Sequence, residues 1–109
     1  MAFDESLAAR ARPLLARRKG FSEKKMFGGI GFFLNGNLCA GVWKEFLVVC
    51  LSPEESEEAQ CRPHVSPFNI YGREKKSWTM IEPAGVESDA DLKDWIRRSA
   101  KFVGSLPEK

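Results

Sequence analysis

Asn35-Gly36, set between two apolar runs, constrains this chain more than any other pair of residues. Both residues tolerate the positive φ of a two-residue type I′ turn, so the flanks 26–34 and 37–43 are predicted to fold back on each other as antiparallel strands. A second short turn at Lys44-Glu45 adds a third strand running to Leu51. If each turn has two residues, Leu34 faces Asn37, Trp43 faces Phe46, and Cys39 lies between Phe32 and Cys50. Alternation across a sheet then places Met26, Ile30, Phe32, Leu34, Cys39, Trp43, Phe46, Val48 and Cys50 on one face. The other face takes Phe27, Phe33, Leu38, Ala40, Val42, Leu47, Val49 and Leu51. Both faces are apolar, whereas an antiparallel sheet with one wet face alternates apolar and polar residues. Such a sheet needs cover on both sides, from helices, a second subunit or a ligand. Gly28, Gly29, Gly31, Ala40 and Gly41 cluster at its middle, where missing side chains permit curvature or the close approach of another backbone.

The remaining segments supply helices. Leu7, Ala11, Leu14 and Leu15 recur at helical spacing, which predicts an amphipathic helix over residues 4–19, opened by Asp4, interrupted by Pro13 and stopped by Gly20. Ser52-Pro53-Glu54-Glu55 is a helix start with Ser52 as N-cap. The helix it opens, to about residue 61, is acidic and is expected at the surface; Pro63 ends it. Residues 68–71 and 77–82 read as two further strands joined by a charged loop over 72–76, with Trp78 and Met80 on one face. Ser88 followed by Asp91 caps a final helix, on which Leu92, Trp95, Ile96, Ser99, Phe102 and Val103 trace one side. The element order is α-β-β-β-α-β-β-α, an α+β domain with an antiparallel sheet.

At 109 residues the chain is expected to form a single domain over 1–109. Its longest apolar run, 46–51, is far short of the roughly 20 residues that span a bilayer, and the N-terminus lacks the apolar core of a signal peptide, so a cytoplasmic protein is expected. Three cysteines give no disulfide framework and read as free thiols, Cys39 and Cys50 buried. The segment to Lys25 carries seven Lys or Arg against three acids, while the rest carries ten against twelve. Arg17, Arg18, Lys19, Lys24 and Lys25 are therefore the candidate nucleic-acid contacts, whose binding would weaken with salt. The simpler reading of that segment is a solvated helix face, and no helix-turn-helix or zinc-finger spacing accompanies it.

Chemistry-bearing patterns are sparse. Cys61 and His64 have a chelating spacing without the second pair of ligands that zinc requires, so no metal is expected. Gly28-Gly29-Ile30-Gly31 leads into a hairpin, whereas a dinucleotide fingerprint opens a helix, and no cofactor is expected. Cys39 or Cys50 with His64 offers a nucleophile and a base by residue type, but a thiol inside an apolar strand is inert. We therefore expect no catalytic residues.

Met26-Phe27-Gly28-Gly29, running into Gly31-Phe32-Phe33 and Asn35-Gly36 and then Cys39-Ala40-Gly41-Val42, resembles the N-terminal domain of the TfoX/Sxy family. Arg62-Pro63-His64, the stretches 68–72 and 80–85, and the Trp95 helix with Ser105-Leu106-Pro107 resemble its stand-alone, single-domain members. The resemblance implies a secretion-chaperone-like two-layer fold. It also implies a role beside the family's named members, positive regulators of competence that act on transcription with the cyclic-AMP receptor protein and carry a second, helical C-terminal domain. It supplies no catalytic residues. The expectation is a non-catalytic protein-interaction module, a homodimer with a transcription-regulator protein as further partner, its interface at Phe32, Trp43, Phe46 and Val48. A small-ligand site floored by Gly29, Gly31 and Gly41 and walled by Trp43 or Trp78 is the alternative.

Overall fold

The computed structural model describes residues 3–26, 28–70 and 73–107. Its elements are α1 (Glu5–Ala16), β1 (Phe21–Met26), β2 (Gly29–Leu34), β3 (Asn37–Trp43), β4 (Phe46–Cys50), α2 (Pro53–Ala59), β5 (Val65–Ile70), β6 (Arg73–Ile81), a 3-10 turn at Pro83–Gly85, and α3 (Asp89–Gly104). The strands form one antiparallel sheet in the order β1-β2-β3-β4-β6-β5. The α+β class and the helix, strands, helix, strands, helix order agree with the sequence reading. The strand count does not: six strands replace five.

The additional strand is β1, whose Phe-Ser-Glu-Lys-Lys-Met sequence carries no apolar alternation because it is an edge. Charged residues on an edge oppose pairing with other chains, so an edge strand can look like a loop in sequence. At the other edge, β5 starts at Val65, earlier than expected, and contains Pro67, which an edge tolerates because its missing N–H leaves no ladder bond unmade. Tyr71 and Gly72, placed by the sequence at the end of a strand and the start of a loop, lie outside the described residues, as does Phe27.

Local chemistry sets the helix ends. Asp4 Oδ1 accepts from the Leu7 amide at 3.0 Å, Ser52 Oγ from the Glu55 amide at 3.2 Å, and Ser88 Oγ from the Asp91 amide at 3.1 Å, each satisfying a donor that the first helical turn leaves free. Arg10 ties α1 to the start of α3, its Nη2 donating to the carbonyls of Val86 at 2.9 Å and Glu87 at 3.2 Å and to Asp89 Oδ1 at 3.1 Å. The acidic α2 is not wholly a surface helix: Ser56 and Ala59 are buried, and Ser56 Oγ shares a 2.7 Å hydrogen bond with Thr79 Oγ1 of β6.

All three helices lie on one face of the sheet. That face carries Ile30, Phe32, Ala40, Val42, Leu47, Val49, Thr79 and Ile81, all buried, against Leu7, Ala11 and Leu15 of α1, Ala59 of α2, and Leu92, Trp95, Ile96 and Val103 of α3. Cys39 Sγ lies 3.3 Å from Ser99 Oγ of α3, and because Ser99 Oγ donates to the Ile96 carbonyl at 2.9 Å, the thiol is the donor of the pair.

The face assignment differs from the sequence reading at one point with wide consequences. Leu34 pairs with Asn37 and Phe33 with Leu38 as expected, but Phe32 then pairs with Ala40, Gly31 with Gly41 and Ile30 with Val42. Cys39 is an extra residue in β3, a bulge that moves every position beyond it by one. Phe32 is consequently opposite Ala40 and fully buried beneath the helices, while Trp43, Phe46 and Val48 point the other way. The expected grouping of Phe32 with those three as one interface is thereby corrected. Truncating Phe32 to Ala is expected to cost about 3–5 kcal/mol, the range for a fully buried Phe, and truncating Phe46 to Ala less than half of that. Urea unfolding midpoints of the two variants check the assignment.

Candidate functional site

The face opposite the helices is organised as three rows running across the strands. The middle row is Lys24, Gly31, Gly41, Val48 and Met80, each paired with the next across a strand boundary. Toward the Asn35-Gly36 turn lies a row with Phe33 and Leu38, continued by the Cys50–Trp78 pair. Toward the other end lies a row of Gly29, Trp43 and Phe46. The two glycines of the middle row present no side chains, and both are buried between the rows on either side.

The Trp43 ridge is built by several contacts. Trp43 and Phe46 stack with ring centroids 6.2 Å apart and planes at 25°. Lys44 Nζ sits 4.6 Å from the Trp43 ring centroid, a cation–π contact. Lys44 itself has φ +55°, and its carbonyl accepts from the Asp4 amide at 2.6 Å, next to a parallel bridge between Phe3 and Lys44. The N-terminal residues thus brace the turn that presents the aromatic pair. Phe33, Leu38, Trp43, Phe46, Trp78 and Met80 are all partly exposed, and Val48 at the centre is 4% exposed. Phe33, Leu38 and Met80 were not among the sequence candidates; the signal that would have found Phe33 and Leu38 is the bulge at Cys39, which the sequence alone does not mark, whereas Met80 joins the face by pairing with Val48.

The glycine-rich motif has a backbone explanation. Gly28 has φ +76° and stands in the turn across which Met26 pairs with Gly29. Asn35 at φ +52° and Gly36 at φ +82° form the type I′ turn, which the Asn35 amide anchors by donating to the Gly20 carbonyl at 3.0 Å. A Cβ on Gly29 would run into the Val42 carbonyl oxygen, and one on Gly41 would come within 2.6 Å of the Ile30 carbonyl oxygen. Close approach of β2 and β3 therefore excludes side chains at both positions. The floor read in sequence as a ligand surface is accounted for by strand packing.

The basic residues do not converge. Arg17, Arg18 and Lys19 follow the end of α1, Lys24 shares the open side with Gly31, and Lys25, paired with Ile30, shares the helix side. The chemistry-bearing side chains are likewise dispersed. His64 is exposed, with Nδ1 3.3 Å from Glu82 Oε2, while the Cys61 thiol lies 3.6 Å from the Glu57 carbonyl oxygen. Among the described residues no three potential metal ligands gather. Burial pushes the Cys39 thiol above its usual pKa, outweighing the hydrogen bond it shares with Ser99 and the charge of Arg18, and burial with Cys39 nearby pushes Cys50 up to about 11. Both are protonated at neutral pH and poor nucleophiles.

These geometries carry three predictions. Gly28→Ala is expected to destabilise the fold by about 1–2 kcal/mol because of its positive φ, with Gly28→Asn recovering part of the loss, since no neighbouring atom obstructs a side chain there. Thermal unfolding of the pair measures it. For the thiols, a disulfide reagent at pH 8 is expected to modify Cys61 alone in the folded protein and all three in denaturant. Because Cys50 ionises at about 11 when folded and near 9.0 when unfolded, its contribution to stability is full below pH 9 and is lost as pH rises through 11. A Cys50→Ala variant lacks that part of the alkaline decline.

Among known proteins, the model of the TfoX N-terminal domain family matches residues 13–103. No curated protein and no solved structure matches the chain.

Proposed function

The chain belongs to the TfoX N-terminal domain family, and we propose that it is a non-catalytic protein-interaction module that acts in transcriptional regulation through its open sheet face. The observation that carries this reading is the placement of all three helices on one side of an apolar sheet, which leaves Phe33, Leu38, Phe46 and Met80 partly exposed around Val48 on the other. A soluble domain keeps a contiguous apolar area of this kind for a contact, since its exposure costs free energy and invites aggregation. Near the centre the face is poor in charge, with Lys24 at its edge, which suits protein contact better than a phosphate backbone. The protonated thiols and dispersed polar groups give no support to a catalytic reading. Among the described residues no helix is long and apolar enough to cross a membrane, and the reading takes the cytoplasm as its setting. The family resemblance directs the regulation toward competence, with a transcription regulator as the protein contacted.

The test is made in the source cells. Deleting the chain is expected to change a defined set of transcripts, and a Phe46→Glu allele expressed at wild-type level is expected to reproduce that change. A deletion without effect on transcripts removes the regulatory reading, and a Phe46→Glu allele that behaves as wild type removes the face from it.

A further inference from the structure

We propose that β1, the strand at one edge of the sheet, is a docking edge for an extended acidic segment of a partner protein, which adds to it as a further antiparallel strand. The site is the rim of the sheet, apart from the open face, and it goes beyond the reading above.

The backbone of β1 has a free side whose pattern follows from the Asn35-Gly36 turn. A type I′ turn makes Leu34 and Asn37 a hydrogen-bonded pair, so Leu34 turns its backbone groups toward β3 and Phe33 turns its own toward Ser22 of β1. Counting in twos along the unbroken β1–β2 register, Ser22, Lys24 and Met26 bond to β2, while Glu23 and Lys25 direct their N–H and C=O groups away from the sheet. Two contacts agree with that count. The Ile30 carbonyl oxygen lies toward Gly41 of β3, and the Phe21 amide, outward by the same rule, donates to the Arg18 carbonyl at 3.3 Å. Among the described residues no element pairs with the outer side of β1, and residues 22–25 are exposed. Donors and acceptors therefore alternate along the rim as an added strand requires.

Charge selects the strand that can use them. Lys24 lies on the open side of β1 and Lys25 on the helix side, one on each flank of the rim, and Arg17, Arg18 and Lys19 stand exposed just before the strand. Among the described residues none of these five cations is in an ion pair. Glu23 does not offset them for an incoming chain, because Arg12 already holds its carboxylate at 2.8 and 3.0 Å. A second copy is repelled, since β1 set antiparallel against β1 brings lysine toward lysine, whereas cross-strand pairs of opposite charge stabilise a ladder. A phosphate backbone fits less well, because it has no donors for the outward carbonyls and the two lysines flank the rim on opposite faces.

The other edge of the sheet is built differently. β5 carries Pro67, and its register with β6 shifts between Pro67 and Asn69, two devices that blunt an edge. β1 has no proline and no shift in its register with β2. Its guard is charge of one sign, which excludes a like-charged strand and admits an acidic one.

The probe is the end-blocked peptide Glu-Val-Thr-Glu-Glu-Thr-Val-Glu, whose central glutamates meet Lys25 and Lys24 in an antiparallel register. Titrated into the full chain at low salt and followed by nuclear magnetic resonance, it is expected to bind one per chain and to weaken with added salt. At saturation the Glu23 and Lys25 amides are expected to exchange about tenfold more slowly, with Leu38 and Val48 unchanged. Methylating alternate amide nitrogens of the peptide separates strand addition from simple charge attraction: one alternate set is expected to weaken binding about tenfold and the other to leave it intact. Lys24→Glu with Lys25→Glu is expected to lose the peptide while keeping the wild-type circular dichroism. Phe46→Glu, three strands away, is expected to bind the peptide as the wild type does, so this proposal and the open-face reading fail separately. Absence of binding at millimolar peptide, equal binding by both methylated forms, or shifts confined to the open face overturns the proposal. A single-stranded oligonucleotide that binds the β1 rim more tightly than the peptide overturns it as well, and makes the rim a nucleic-acid contact.

Discussion

Cys39 has no partner on β2, and the two faces of the sheet are sorted by that single insertion. Before it, the hairpin register is the one that the Asn35-Gly36 turn imposes; after it, each residue of β3 faces the opposite way from the register that an uninterrupted ladder would give. The bulge is held from the α3 side, where the Cys39 thiol donates to Ser99, whose hydroxyl is in turn committed to the Ile96 carbonyl. One buried chain of two polar hydrogens thus fixes where the strand kinks. Its effect is to drive Ala40 and Val42 under the helices and to turn Gly41 and Trp43 outward. Without it Gly41 and Trp43 would lie against the helices, and Ala40 and Val42 would face outward.

The sequence made the parts governed by local chemistry legible. Asn35-Gly36 announced its hairpin because both residues accept positive φ, and Asp4, Ser52 and Ser88 announced three helices because each can accept from an amide of the first turn. The apolar stripe from Leu92 to Val103 was readable for the same reason, a period of 3.6 that only a helix satisfies. What escaped was set by position in the sheet. β1 has the composition of a loop because an edge must discourage pairing, and β5 hides behind Pro67 for a related reason. The bulge escaped because Cys39 and Ala40 are both small and apolar, so neither face assignment conflicts with their side chains. Trp43, Phe46 and Val48 of the candidate site were placed together, and Phe32 was separated from them by one residue of slip.

Several ion pairs and cation–π contacts line the helical side of the sheet and its rim. Arg12 forms a two-pronged pair with Glu23 at 2.8 and 3.0 Å along the rim where α1 meets β1. Arg62 and Arg98 flank Trp95, at 5.6 and 5.8 Å from its ring, while Arg98 and Arg97 hold Asp94, whose carboxyl stays below its usual pKa although burial alone would raise it. These groups sit on the helical side or its rim, where they cover the ends of the core with guanidinium planes and aliphatic stems.

The glycines of the motif read in the sequence are, on this geometry, the ones that make two hairpins possible. Gly28 and Gly36 supply positive φ, and Gly29 and Gly41 allow β2 and β3 to approach closer than side chains permit. None of them offers a group that could bind or transform a ligand, so a match to the motif carries the fold to a new member without carrying a chemistry. The side chains that differ in kind are those the backbone does not dictate: Phe33, Leu38, Phe46 and Met80 could each be polar without disturbing the turns or the helical core. The proposed contact surface accounts for their being apolar, because inside the chain water-facing polar residues would serve the stability of the fold equally well.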